Sequence, residues 1–321
     1  MSQSKCSLDL YTKFLIANQN KYSGVELSKT SQEELSHDSV SRWLREQEFD
    51  SKNLWSHVKD MVDEEGYLIV DDSVLDKRFS RNNELVGKHW SGNEHRLISG
   101  IDLVNLLWTA GEECIPVDYR IYQSEEKKVK TKNDYFRDML TIAKKRGFKP
   151  YYALGDCWYG SVENMKFIQK QNWKFIFGAK ENRKVSITKN IYVSISNLDW
   201  SKKLVQKVWL KEFGFVLAAK IVITDDDIRY VVTNDMTLMD IKILKHHNDH
   251  RWNIETFHRG IKQTTGIEKC YSTLETSQRN HIFASFVAFV KLEYTRIHEG
   301  ISWYEQKAVY ARIGTRFALS A

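Results

Sequence analysis

One carboxylate stands among three cations in the stretch HRWNIETFHRGIKQTTG at 250–266. Wound as an α-helix of about 3.6 residues per turn, Arg251, Glu255, Arg259 and Lys262 share one side, and Trp252, Ile254, Phe257 and Ile261 form an apolar set on the other. A polar stripe of this kind can be a row of solvated pairs contributing about 0.2–0.5 kcal/mol each. Two further acidic positions give it a second reading. YLIVDD at 67–72 and YYALGD at 151–156 are short apolar runs, each ending in aspartate, as buried strands would. Two strand carboxylates and one helix carboxylate are the donor set for hard divalent cations, because Mg²⁺ prefers oxygen ligands and keeps positions open for water and phosphate oxygens. Successive strand residues point to opposite faces, so Asp71 and Asp72 do not both enter one site.

Together these motifs resemble the DDE transposases of bacterial insertion sequences, whose catalytic core is RNase H-like and whose last acidic residue lies in a tyrosine-arginine-glutamate-lysine signature. The signature sets arginine four residues before the glutamate and lysine seven after it, as Arg251, Glu255 and Lys262 stand, while Asn248 occupies the place of its tyrosine. Asp71-Asp72-Ser73 resembles the family's first strand motif, and LGDCWY at 154–159 its second. The likeness runs from about residue 66 to 294. It implies Asp72, the aspartate directly before the serine, with Asp156 and Glu255 as catalytic residues. The same three would be the ligands of two Mg²⁺ ions, with Mn²⁺ as a substitute, on the order of 4 Å apart. It further implies that Arg251, Arg259 and Lys262 bind DNA phosphates beside the scissile bond. The activity implied is cleavage at element ends and transfer of the 3′-hydroxyl to target DNA, with double-stranded DNA as partner and a synaptic homodimer. Carboxylates crowded in this way repel one another and tend to hold a proton until cations arrive.

The composition agrees with such a partner. Of 321 residues, 42% are hydrophobic, enough for a sizeable core, and 48 basic against 42 acidic side chains leave +6, with a pI near 8.9. Cys6, Cys114, Cys157 and Cys270 are scattered without a CxxC pair, which reads as free thiols in a reducing compartment. Cys157 reads as a small buried side chain at a strand end. The longest apolar run, 282–292, is interrupted by Ser285 and Lys291 and falls short of a membrane span. A bacterial cytoplasmic or nucleoid protein is expected. His246, His247, His250 and His258 lie near the glutamate, but no cysteine stands at ligand spacing, which disfavours zinc. No Walker A loop, GxGxxG or GxSxG appears, so nucleotide hydrolysis, dinucleotide redox and serine-hydrolase chemistry lack a basis.

The elements that must position these residues are expected as follows. Residues 1–62 read as a helical module, with Leu8, Tyr11, Phe14 and Leu15 at helical steps and a capping box at Ser31-Gln32-Glu33-Glu34. A short helix at 37–45 either presents Ser39, Arg42 and Arg45 to DNA or caps the next domain. Residues 63–321 read as an RNase H-like α/β domain with a mixed sheet flanked by helices. Its first strand ends at the aspartate pair. A Lys/Arg/Asn-rich loop at 77–96 and a β-meander at 97–109 and 115–122 follow. Residues 132–146 form an amphipathic helix with Phe136, Met139, Leu140 and Ala143 inward and its lysines outside. After the second aspartate come a helix at 161–169 and a strand at 174–178. A β-rich insertion at 179–235 carries Lys180, Arg183, Lys184, Lys202, Lys203, Lys207, Trp200 and Trp209, a set suited to embracing a DNA end. A largely apolar helix at 279–297 closes the pattern. Two other functions remain open on these residues: a structure-specific DNA nuclease of the same fold, and a non-catalytic DNA-binding descendant of a transposase.

Overall fold

In the computed structural model, which describes residues 6–32, 34–91, 95–123 and 130–320, the apolar runs become one mixed sheet. Four helices come first: α1 (Leu8–Ala17), α2 (Gly24–Thr30), α3 (His37–Glu46) and α4 (Ser51–Val58). Then follow β1 (Glu65–Asp76), β2 (Gly87–Ser91), β3 (Arg96–Thr109) and β4 (Ile115–Tyr122), which pair antiparallel. Helix α5 (Lys132–Lys145) leads to β5 (Lys149–Gly155), and α6 (Val162–Lys170) leads to β6 (Phe175–Ala179). Strand β5 lies parallel to β1 and β6 parallel to β5, so the order β4-β3-β1-β5-β6 is that of an RNase H-like sheet.

Strand β1 is central, and Tyr67 to Val70 are buried on both faces, the pattern of a strand covered by helices on each side. One face is closed by α5, whose Phe136, Met139, Leu140 and Ala143 are buried. The other is closed by α7 (Ile241–Asp249), α8 (Trp252–Thr265) and α9 (Glu275–Glu299), with Phe286 of α9 stacked on Tyr119 of β4 at 4.3 Å. Helix α10 (Trp303–Ser320) packs on α8 and α9, where Trp303 lies so near Gly260 that an added Cβ would come within 2.6 Å of its ring. Helices α1 and α3 also pack on α9, and α4 packs on β4 and α9. Buried polar contacts fix them there: Asn280 Nδ2 donates to Leu44 O at 2.8 Å, and Tyr11 Oη meets His281 Nδ1 at 2.9 Å. Val40, Trp43 and Leu44 of α3 face this packing, and Arg42 and Arg45 are exposed.

The β-rich segment after β6 comprises β7 (Lys184–Ser186), β8 (Val193–Ser194), β9 (Val205–Leu210), β10 (Gly214–Val222) and β11 (Ile228–Thr233). It continues the main sheet, because β11 pairs antiparallel with β6 from Tyr230–Ala179 to Thr233–Ile176. No helix among the described residues is long and apolar enough to cross a membrane.

Several local expectations differ. Strand β1 runs on past the aspartate pair to Asp76, held there by β3 alone, since its pairing with β5 ends at Val70. The segment read as a loop at 77–96 contains β2, which forms a hairpin with the start of β3. Ser31 ends α2, its N–H donating to Leu27 O at 2.9 Å, and Ser36 caps α3 instead by accepting from Ser39 N; Glu33 lies outside the described residues. Trp200 is buried, with Nε1 donating to Ile195 O at 3.0 Å, so it belongs to the core of the insertion and only Trp209 of that pair stays exposed. Trp252 is 49% exposed and leaves the packing face of α8 to Ile254, Phe257 and Ile261. Cys157 is exposed rather than buried.

Candidate active site

Register decides which strand carboxylate meets the helix carboxylate. Asp71 pairs across β1 and β3 with Asn105, and Asn105 Nδ2 lies 2.9 Å from His258 Nε2 on α8, the helix that carries Glu255. On the other side of β1, Val70 pairs in parallel with Gly155, so the next residues, Asp71 and Asp156, stand side by side on the same face. Tyr67, four residues before Asp71, confirms the face by stacking on His250 at 4.3 Å and meeting His247 Nδ1 at 2.7 Å. Burial, then the neighbouring charges of Asp72 and Asp156, push the Asp71 carboxyl up to about 8, against the opposing pull of the Asp72 N–H and Arg251.

Asp72 lies on the opposite face, under α5. Its Oδ2 accepts from Lys132 Nζ at 2.6 Å, and its Oδ1 accepts from Tyr159 Oη at 3.1 Å. Lys132 also reaches Asp102 Oδ2 at 2.6 Å, and Asp102 meets His89 Nδ1 at 3.3 Å. Burial raises Asp72, whereas for Asp102 the contacts from His89 and Lys132 outweigh burial and hold it below the usual carboxylate range. Lys132 is therefore the cation of an inward ion-pair network, not one of the outward lysines expected of this helix. Nothing local in the sequence marks it, since Asp72 and Asp102 are distant in the chain.

Asp156 sits just past the end of β5, where its Oδ1 accepts from Trp158 N at 2.8 Å and Tyr159 N at 3.2 Å. These bonds shape the turn and aim the carboxylate. Gly178 of β6 leaves room for it: an added Cβ there would come within 2.9 Å of Cys157 N.

On α8, Glu255 Oε1 accepts from Arg251 Nη2 at 2.7 Å, one turn apart. Arg259 is exposed on the same helix. Lys262 turns back to the sheet, donating to Val74 O at 2.7 Å and pairing with Glu268 at 3.3 Å. The four residues expected on one side thus split into a clamped pair, an exposed arginine and a lysine that ties α8 to β1. Asn248 lies near the end of α7. His258 is half-buried, and the loss of water around its ring pushes it down to about 3 and keeps it neutral, so it is a partner for Asn105 rather than for a phosphate.

Asp71 and Asp156 are brought together, and Glu255 lies on the helix across from them. Among the described residues no three His, Cys, Asp or Glu side chains stand close enough, as placed, to hold a metal ion. The histidines near Glu255 make no exception.

Residues 65–290, from β1 into α9, match the family model for the transposase DDE domain. Among solved structures, the chain is similar to piggyBac transposase, seen by cryo-EM in a synaptic complex with hairpin DNA. The TM-score is 0.56 and the identity 10%, over 95% of this chain and 68% of that one. It is also matched to the Drosophila P element transposase in a strand transfer complex, at a TM-score of 0.32 and 10% identity, covering 60% of this chain and 48% of that one. No curated protein matches. An acidic pair at the centre of an RNase H-like sheet, with a third carboxylate on the helix that closes it, is what the matched span contains, and the chain belongs to the transposase DDE domain family.

Proposed function

We propose that the chain cuts DNA at the ends of an element of the bacterial insertion-sequence type and joins the 3′-hydroxyl to target DNA, with Asp71, Asp156 and Glu255 as its acidic triad. Asp71 replaces Asp72, the choice favoured by the motif alone. The observation that carries this is the Asp71 carboxylate, half-buried beside Asp156 on the face of α8 and making no ion pair among the described residues, while Asp72 is already satisfied by Lys132.

The donor set is oxygen throughout, which suits Mg²⁺ or Mn²⁺. When bound, a pair of such ions supplies activation of the attacking oxygen and neutralisation of the leaving oxygen in an in-line displacement. The chain's own part is to prepare the acids. Asp71 gives up the proton it holds near neutral pH, and Glu255 exchanges its Arg251 partner for the site. Arg251, once released, and the exposed Arg259 are placed for bidentate contacts to phosphate oxygens. Lys262 keeps the end of β1 registered against α8. The packing of α1, α3 and α4 on α9 supports reading them as a cap over the catalytic sheet. Two copies would act together on paired DNA ends, as the family likeness suggests.

The test is incubation with labelled element-end DNA, a supercoiled plasmid and Mg²⁺. Cleaved ends and joined product are expected from the wild type, and neither from Asp71→Asn or Glu255→Gln, both of which still bind DNA. Nicking without any joined product would mark a structure-specific nuclease. Wild-type cutting by Asp71→Asn would remove it from the triad.

A further inference from the structure

Beside Asp156 lies a surface that none of this chemistry uses. The turn fixed by the Asp156 carboxylate holds Trp158 out toward solvent, with 56% of the residue exposed. Large exposed aromatics are informative where they line a concave surface, and this one does. It forms a wall of a groove of about 460 Å³ whose other wall is the segment after β6, with Lys180, Asn182, Arg183 and Lys184. The floor is Gly178, packed on the Asp156–Cys157 backbone, so the groove adjoins the turn that carries Asp156. Three cations and no carboxylate occur among the described residues that line it.

An indole and a cluster of cations ask for different parts of one ligand. The ring offers a flat face for stacking, and the cations offer counter-charge to phosphates. A purely apolar partner would leave three cations desolvated, and an intact duplex shows its phosphates while keeping its base faces stacked inside. An unpaired nucleotide supplies both. We propose that this groove holds an unpaired nucleotide of the DNA strand next to the scissile phosphate, its base stacked on Trp158 and its phosphates on Lys180, Arg183 and Lys184. The inference rests on the DNA-processing reading of Asp71, Asp156 and Glu255 and adds where the strand must open.

The experiment compares binding of a short oligothymidylate and of a short duplex by fluorescence anisotropy, in metal-free buffer so that no cleavage intervenes. Trp158→Ala is expected to weaken oligothymidylate binding by about 5- to 150-fold, the range for one stacked base, and to leave duplex binding unchanged. Trp158→Phe should restore most of the loss. The double variant Lys180→Ala/Lys184→Ala should lower the slope of log affinity against log salt by about 0.7 per lysine on the single strand. Unchanged oligothymidylate binding by Trp158→Ala overturns the proposal, and so does an equal loss on duplex and single strand. Because the readout is binding without metal, a protein that never cuts DNA yet keeps the Trp158 dependence would refute the catalytic reading and leave the groove standing.

Discussion

Changing Asp71 to asparagine should make the protein more stable while ending its activity. Its carboxyl is raised from 3.8 to about 8, first by burial and then by Asp72 and Asp156. A group that binds its proton more tightly when folded contributes stability that is fully present below the unfolded value and is lost as pH rises through the folded one. In the wild type that loss spreads from 3.8 to about 8. It can reach about 1.4 kcal/mol per pH unit. Asparagine never ionises, so the variant escapes it. Halving the full effect for water at this partly open carboxylate, Asp71→Asn should exceed the wild type by about 1 kcal/mol near pH 5 and about 2–3 kcal/mol near pH 8. At roughly 2 °C per kcal/mol for a chain of this size, the alkaline advantage is about 4–6 °C in Tm. Asp72→Asn should gain less, since the Asp72 carboxyl, though also raised by burial, is paired with Lys132, which the change deprives of one of its two partners. The assay is thermal or urea unfolding of the three proteins across this pH range in chelator, repeated with Mg²⁺, which should narrow the gap by neutralising the wild-type site. An advantage for Asp71→Asn that fails to grow with pH, or one that belongs to Asp72→Asn instead, would refute the assignment of faces.

Lys132→Met should cost about 3–5 kcal/mol in urea unfolding near pH 8, because it strands Asp72 and Asp102 together, and the deficit should shrink toward pH 5 as those carboxylates take up protons. Mg²⁺ affinity should climb as pH rises toward about 8 and then level off, since binding must displace the Asp71 proton. Calorimetry in buffers of different ionisation enthalpy should count about one proton released per binding event below that point, and none would contradict the protonated state. Gly260→Val should destabilise the α8–α10 contact by about 1–3 kcal/mol, visible as an early loss of tryptophan fluorescence on heating, because its side chain has to displace Trp303 and Phe289.

The sequence made the scaffold readable wherever one local signal was enough. The apolar runs before Asp71 and Asp156 are β1 and β5, the 132–146 periodicity is α5, and the step of Arg251 to Glu255 is a real helical pair. What it hid depends on partners far away. Tyr67 to Val70 are buried on both faces, so the run carries no alternation from which the face of Asp71 or Asp72 could be inferred. The inward turn of Lys132 is determined by Asp102, on a strand that only the fold brings near. Ser31 satisfies a capping pattern, yet α2 extends into it and Ser36 does the work one turn later. Trp200 and Trp209 look alike in the chain, but the fold packs Trp200 against Tyr230 of β11 and sets Trp209 on β9 opposite the exposed Phe215 of β10.

The ladder between β6 and β11 makes the added strands a rigid arm instead of a tethered lobe. Four residue pairs link it to the strand that floors the turn bearing Asp156. Swinging the arm would mean tearing main-chain bonds within a few residues of the Asp156 turn. The span between the arm's tip and the carboxylates is therefore set by the register of β11 on β6.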